Sequence, residues 1–216
     1  MDTGGGAAAY LNYVCGNVTR VVEPLRERPA PAWVVAGPPG AGKTTAARML
    51  VGLLDPPPAL LDKDTLYGDL VAALLSAAGR PFGEREGLWY DEHIKKHEYA
   101  GLLATAREIR AAGCPTVVVA PFTVQLRDPA RWRELVQAMG GEPVRLIWLR
   151  TDPETLRNRL IRRGYDRDSA KLANYKEFLM RMRPEQEPDV PHVTVDNRDG
   201  ARPMSVQLSE VAGVAA

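Results

Sequence analysis

Gly37-Pro38-Pro39-Gly40-Ala41-Gly42-Lys43-Thr44 fits the spacing G-x-x-x-x-G-K-[ST], and its setting decides how the rest of the chain is read. The apolar run Pro31-Ala32-Trp33-Val34-Val35-Ala36 before it predicts a short buried strand, and Thr44 to Leu54 after it predicts a helix. Glycines let the backbone turn tightly enough for successive N–H groups, with the positive end of the following helix, to face one anion. Lys43 would then reach the β- and γ-phosphates of a nucleotide, and the Thr44 hydroxyl would face Mg²⁺. The expected cofactors are therefore ATP and Mg²⁺, with the phosphate cradle running from Gly37 through Thr45.

Outward from that loop the chain alternates. Tyr10 to Arg28 carries Leu11, Val14, Val18, Val21, Val22 and Leu25 near one helical face, and is expected to pack on the sheet from outside. A second strand is expected at Ala59–Asp62, a helix over 64–79, a loop over 80–90, and a helix over 91–112 ended by Gly113. Thr116-Val117-Val118-Val119-Ala120 reads as a strand covered on both faces. Helices near 128–139 and 153–163, a strand near 143–149, a helix from about 168 to 181, and a last strand at His192–Asp196 follow. Such alternation predicts an α/β fold in three layers, a central, mostly parallel, five-stranded sheet with helices on both faces. Its crevice should lie at the carboxyl ends of the strands, bringing Gly37–Thr44, Asp62–Asp64 and Pro121–Arg127 around one cleft.

Composition narrows the function classes. A length of 216 residues suits one hydrophobic core, and 45% hydrophobic with 25% charged residues is ordinary for a globular chain. A formal net charge of +1 supplies no general field for nucleic acid or an anionic membrane, so neither is an expected partner. Cys15 and Cys114 are too few for a disulfide framework and are expected to be packing residues in a reducing cytoplasm. The start Met1-Asp2-Thr3, followed by three glycines, lacks a signal-peptide pattern.

Phosphoryl transfer also needs an acceptor oxygen aligned by a base. Asp62 and Asp64, at the end of the second strand, are the candidates; either can take a hydroxyl proton or hold Mg²⁺ through water. The plainer alternative for Asp64 is a helix N-cap. Arg162-Arg163-Gly164-Tyr165-Asp166-Arg167-Asp168 reads as a mobile turn that can swing guanidinium groups over phosphates, whereas Arg157 and Arg162 suit a solvated face. His93 and His97 stand four apart, but Ile94 occupies the place where a zinc hydrolase needs Glu. Trp89, Tyr90, Tyr99 and Phe122 are candidates for a pocket floor or for core.

Taken together, Gly37–Thr45, Leu61-Asp62-Lys63-Asp64-Thr65 and the Arg-rich turn at 157–167 resemble the small P-loop kinases. The likeness is to zeta-toxin kinases, chloramphenicol phosphotransferase and AAA-like ATP-binding small-molecule kinases. It covers about 35–200 as an order of elements, and its specific part is the phosphate loop. The resemblance implies a P-loop NTPase fold with an Arg-bearing lid turn: residues 1–30 form an N-terminal helical extension and 31–216 the kinase domain. It implies Asp64 as the base, Asp62 as the metal carboxylate facing the substrate, and a phosphate-clamping lid arginine among Arg159, Arg163 and Arg167. The chain departs from the pattern at Ala120-Pro121-Phe122, where many members place an acid, which leaves Asp62 to serve the metal. The acceptor is expected to be a small-molecule hydroxyl, in an antibiotic or a biosynthetic intermediate, bound by Tyr99, Phe122 and Arg127. The alternatives are a toxin-like nucleotide-sugar kinase and a switch or assembly protein that hydrolyses ATP without transfer.

Overall fold

The computed structural model describes residues 28–165 and 168–213. The helix expected over 10–28 falls, but for Arg28, outside the described residues; so do Cys15 and Arg167. Five strands form one sheet: β1 (Ala32–Ala36), β2 (Ala59–Asp62), β3 (Thr116–Val119), β4 (Val144–Arg150) and β5 (Val193–Asp196), in the order β2-β3-β1-β4-β5. Every pairing is parallel, with Val34 opposite both Val118 and Leu146. After β1 the chain skips to the edge, returns through β3 and then crosses to β4. The carboxyl ends of β1 and β3 therefore diverge and open a crevice there.

Helices α1 (Lys43–Leu53), α2 (Lys63–Ala77), α3 (Lys96–Ala111), α4 (Pro129–Ala138), α5 (Pro153–Arg163), α6 (Ser169–Ala173), α7 (Tyr175–Met182) and α8 (Met204–Ala212) complete the described fold. Alternation along the strands sends Val34, Val118, Leu146 and Trp148 to one face, where they meet Leu102 and Ala106 of α3 and Leu135 and Val136 of α4. Val35, Val119, Ile147 and Leu149 go to the other, against Leu50 of α1, Leu156 and Leu160 of α5, and Leu208 of α8. These are the expected three layers. No helix among the described residues is long and apolar enough to cross a membrane.

Three elements differ from expectation. The helix predicted over 91–112 begins as a π-helical segment, Asp91–Lys95, after a helical turn at Leu88–Tyr90. The buried positions explain it: Tyr90, Ile94, Glu98, Leu102, Ala106 and Arg110 recur every fourth residue. A repeat of four drifts around a helix of 3.6 residues per turn, and a wider turn lets the stripe stay on the core. The helix expected from 168 to 181 is two, broken at Asn174, whose φ of −116° and ψ of 47° are not helical. Finally α8, which the periodicity reading does not anticipate, packs on α1.

Candidate active site

The loop between β1 and α1 is shaped by backbone that only glycine adopts easily. Gly37 has φ 144°, and a Cβ there would lie 3.0 Å from the Leu149 carbonyl oxygen; Gly42 has φ 91°. A Cβ on Gly42 would come within 2.7 Å of Asn197 Nδ2, which donates to the Ala41 carbonyl at 2.8 Å. Asn197, just beyond β5, thus buttresses the loop from 156 residues away in sequence. Nothing in the local sequence signals it.

Lys43 folds back and donates from Nζ to the Pro38 carbonyl at 3.0 Å. Burial of the ammonium pushes its pKa down to about 8, against the upward pull of Asp64 and Asp62. Thr44 donates its hydroxyl to Asp62 Oδ2 at 2.6 Å, and Asp62 Oδ1 accepts the Asp64 N–H at 2.9 Å. Asp62 is therefore the N-cap of α2, the role that sequence reasoning offers as the plain alternative for Asp64. Asp64 stands in the first turn with its side chain half exposed.

All four residues line one cleft of about 600 Å³ that also contains Gly40, Gly42, Thr45, Tyr99, Arg159 and Arg163. Thr44 and Asp62 are hard oxygen donors in mutual contact, a set that fits Mg²⁺ if water and phosphate supply the remaining ligands. On the far wall Lys63 is buried and donates to Glu98 at 2.8 Å, with Asp64 Oδ1 3.4 Å away. Tyr90 donates its hydroxyl to the second Glu98 oxygen, and burial raises its pKa. A hydrophobic-periodicity reading passes over Glu98 because it is a charge on a core stripe.

Two of the three arginines expected to clamp phosphate, Arg159 and Arg163, lie on α5 and are held by carboxylates. Arg159 pairs with Asp199 at 3.1 Å. Arg163 donates from Nε to Asp168 at 2.9 Å, and Lys171, also in the cleft wall, donates to the other oxygen at 3.0 Å. Asp168 is fully buried between the two. Arg157 and Arg162 are exposed, as a solvated face requires.

Two residues expected at the substrate do not line the cleft. Phe122 is fully buried, its ring 5.4 Å edge-on from Tyr99, and its N–H donates to the Tyr99 hydroxyl oxygen at 3.4 Å. It has φ 49°, and it supports Tyr99 from behind. Arg127 turns to the end of α7, donating to the carbonyls of Met182 at 2.7 Å and Arg183 at 3.2 Å, where it satisfies helix-terminal acceptors. Thr123 and Pro121 of the same loop do reach the cleft. Tyr99 is half-buried in the cleft wall, and burial of its hydroxyl raises its pKa. His93 Nδ1 lies 2.9 Å from the Trp89 carbonyl and its ring stacks on Trp89 at 4.8 Å.

Comparison with known proteins agrees with this architecture. A candidate kinase from Chloroflexus aurantiacus superposes with a TM-score of 0.58 at 22% identity, covering 88% of this chain and all of that one. The tunicamycin resistance protein of Deinococcus radiodurans gives 0.53 at 21%, covering 86% and 97%. The APS kinase of Mycobacterium tuberculosis, solved with AMPPNP and APS, gives 0.52 at 18%, covering 86% and 97%. At such identities the likeness establishes the fold alone. No curated protein matches the sequence. The profile of the family described as AAA domain matches residues 33–185, more than half of the chain, and the chain belongs to that family.

Proposed function

We propose that the chain is an ATP-dependent phosphotransferase that moves the γ-phosphoryl group of ATP to a hydroxyl of a small molecule. The observation that carries this reading is the sharing of one cleft by the phosphate loop, Asp64 and two lid arginines. Nucleotide phosphates on the loop would put the γ-phosphorus beside the half-exposed Asp64 carboxylate. The acceptor hydroxyl gives its proton to Asp64 as its oxygen bonds to phosphorus, the bond to the bridging oxygen breaks, and ADP leaves. Lys43, and Arg163 once released from Asp168, neutralise the charge that develops. A bound Mg²⁺ at Thr44 and Asp62 would screen the phosphate oxygens from one another. AMPPNP in the APS kinase makes an adenine nucleotide the donor to test first.

The test is incubation with ATP, Mg²⁺ and a pooled set of antibiotics and biosynthetic alcohols, followed by mass spectrometry for compounds that gain one phosphoryl group. Lys43→Ala should abolish the gain in a protein that melts no lower than the wild type. ATP hydrolysis by the wild type with no acceptor gaining phosphate would favour the switch reading instead.

A further inference from the structure

The loop between α2 and α3 places Arg85 in the wall of the cleft, with Tyr90 and Lys95. Several charges near it in the cleft are paired. Lys63 is matched by Glu98 and Asp64, and Lys95 by Asp91 at 2.9 Å. Glu86, the carboxylate beside Arg85, turns to Arg181 on α7. Arg85 has no carboxylate partner among the described residues. Its Nη2 donates to the Gly68 carbonyl at 3.1 Å and its guanidinium carbon lies 5.5 Å from the centre of the Phe82 ring, while Nε and Nη1 are buried with no hydrogen-bond partner.

An unmatched guanidinium in a cleft wall is costly by elementary electrostatics. Arginine keeps its proton in any environment, so it cannot relieve the cost by becoming neutral, and the Phe82 ring offers the charge a π face but no acceptor for its two buried N–H groups. Buried donors are normally satisfied by a protein group, an ordered water or a bound partner, so these two call for an acceptor. Its anchor keeps it in place: the Gly68 carbonyl is part of α2, the helix that begins with Asp62 and Asp64. Asp64 and the Arg85 guanidinium are thus tied to one element.

We propose that Arg85 is the receptor for an anionic oxygen group on the acceptor, so that the substrate is a hydroxyl compound that also carries a carboxylate or a phosphate. This rests on the phosphotransferase reading above and makes it narrower. Arg85 would fix the anionic end while the hydroxyl faces Asp64, and a neutral alcohol would leave the guanidinium unmatched. Discrimination against that alcohol then comes as much from the cost of the unpaired guanidinium as from the ion pair that the right substrate forms.

The experiment separates the two ideas. Wild type, Arg85→Gln and Arg85→Lys are first titrated with AMPPNP and Mg²⁺, which fills the phosphate loop and reports a folded nucleotide site. Acetate and methyl phosphate are then titrated in turn into each saturated protein. At least one anion should bind the wild type and lose tenfold or more in affinity in Arg85→Gln, with Arg85→Lys between them. Preference for acetate would mark a carboxylate acceptor, and preference for methyl phosphate a phosphorylated one. If neither anion binds the saturated wild type, or Arg85→Gln binds as well as the wild type, the proposal is overturned. Should AMPPNP itself not bind, the phosphotransferase reading falls, and dependence on Arg85 is read on the nucleotide-free protein.

Discussion

Lys43 holds a charge that its surroundings resist. With its pKa near 8 in the folded chain and 10.5 as the ordinary value, the unfolded chain binds more protons between those limits. Its burial therefore costs stability, about 3 kcal/mol, that is fully felt below pH 8 and fades as pH rises towards 10.5. Phosphate oxygens favour the charged form, so ATP binding should be insensitive to pH from 7 to 8 and weaken above it, by up to about tenfold per unit. ATP titrations from pH 7 to 9.5 check this, and Lys43→Met should flatten the profile. A wild-type profile as flat as the variant's would take Lys43 out of the phosphate site.

The two aspartates are separable at the same scale because asparagine also caps helices well. Asp62→Asn should keep α2 in place but weaken the metal carboxylate and so raise the Mg²⁺ requirement. Asp64→Asn should leave ATP affinity alone and lower kcat by about 10²–10⁴, the usual worth of a general base. Steady-state rates across a Mg²⁺ series, with ATP binding measured separately, distinguish them. An exchange of the two effects would move the base to Asp62.

At the scale of elements, what is legible in the sequence is what lies close along the chain. Gly37–Thr44 declares its own strand, turn and helix, and Asp62–Asp64 follows a short apolar strand. Contacts made across the fold leave no such trace: Asn197 against the loop, and Arg127 on the end of α7. An aromatic residue near a strand end suggests a substrate contact at Phe122, but its ring is the backing of Tyr99. Glu98 and Arg110 escape a reading that seeks burial on α3 among apolar residues alone.

Helix α5 carries Arg159 and Arg163 one turn apart, both in the cleft wall and both paired with acids. An arginine used on a transferring phosphoryl group matters more in the transition state than in the ground state. Arg163→Ala should therefore lower kcat by about 10²–10³ with only a small change in ATP affinity, the loss seen for one charge-stabilising donor. Rapid-quench single turnover set beside ATP binding measures the two. Equal losses in both would make Arg163 a ground-state phosphate ligand.

Across the whole molecule, the sheet has a working end and a holding end. Arg110, fully buried at the end of α3, donates from Nε to Ala30 at 2.6 Å, from Nη1 to Met139 at 2.6 Å, and from Nη2 to Gly141 at 2.8 Å and Pro143 at 3.1 Å. All four acceptors are carbonyls at the amino ends of β1 and β4 or the end of α4, so one guanidinium fastens the strand starts opposite the cleft. Removing it leaves the Ala30, Met139 and Gly141 carbonyls without this charged donor, while Pro143 keeps the Ala32 N–H at 3.1 Å, at a cost of about 4 kcal/mol given that bonds to charged donors are worth more than neutral ones and do not add fully. For a chain of this size, that lowers Tm by roughly 10 °C. Arg110→Lys should recover little, since an ammonium has three donors and no planar fork. Because Ala36 and Gly37 lie at the other end of β1, ATP affinity measured well below the melting point should be unchanged in Arg110→Ala. Thermal melting paired with ATP titration at about 15 °C, near the usual stability maximum, tests this. A normal Tm, or a loss of ATP affinity in the folded variant, would show that the two ends of the sheet do not divide the work in this way.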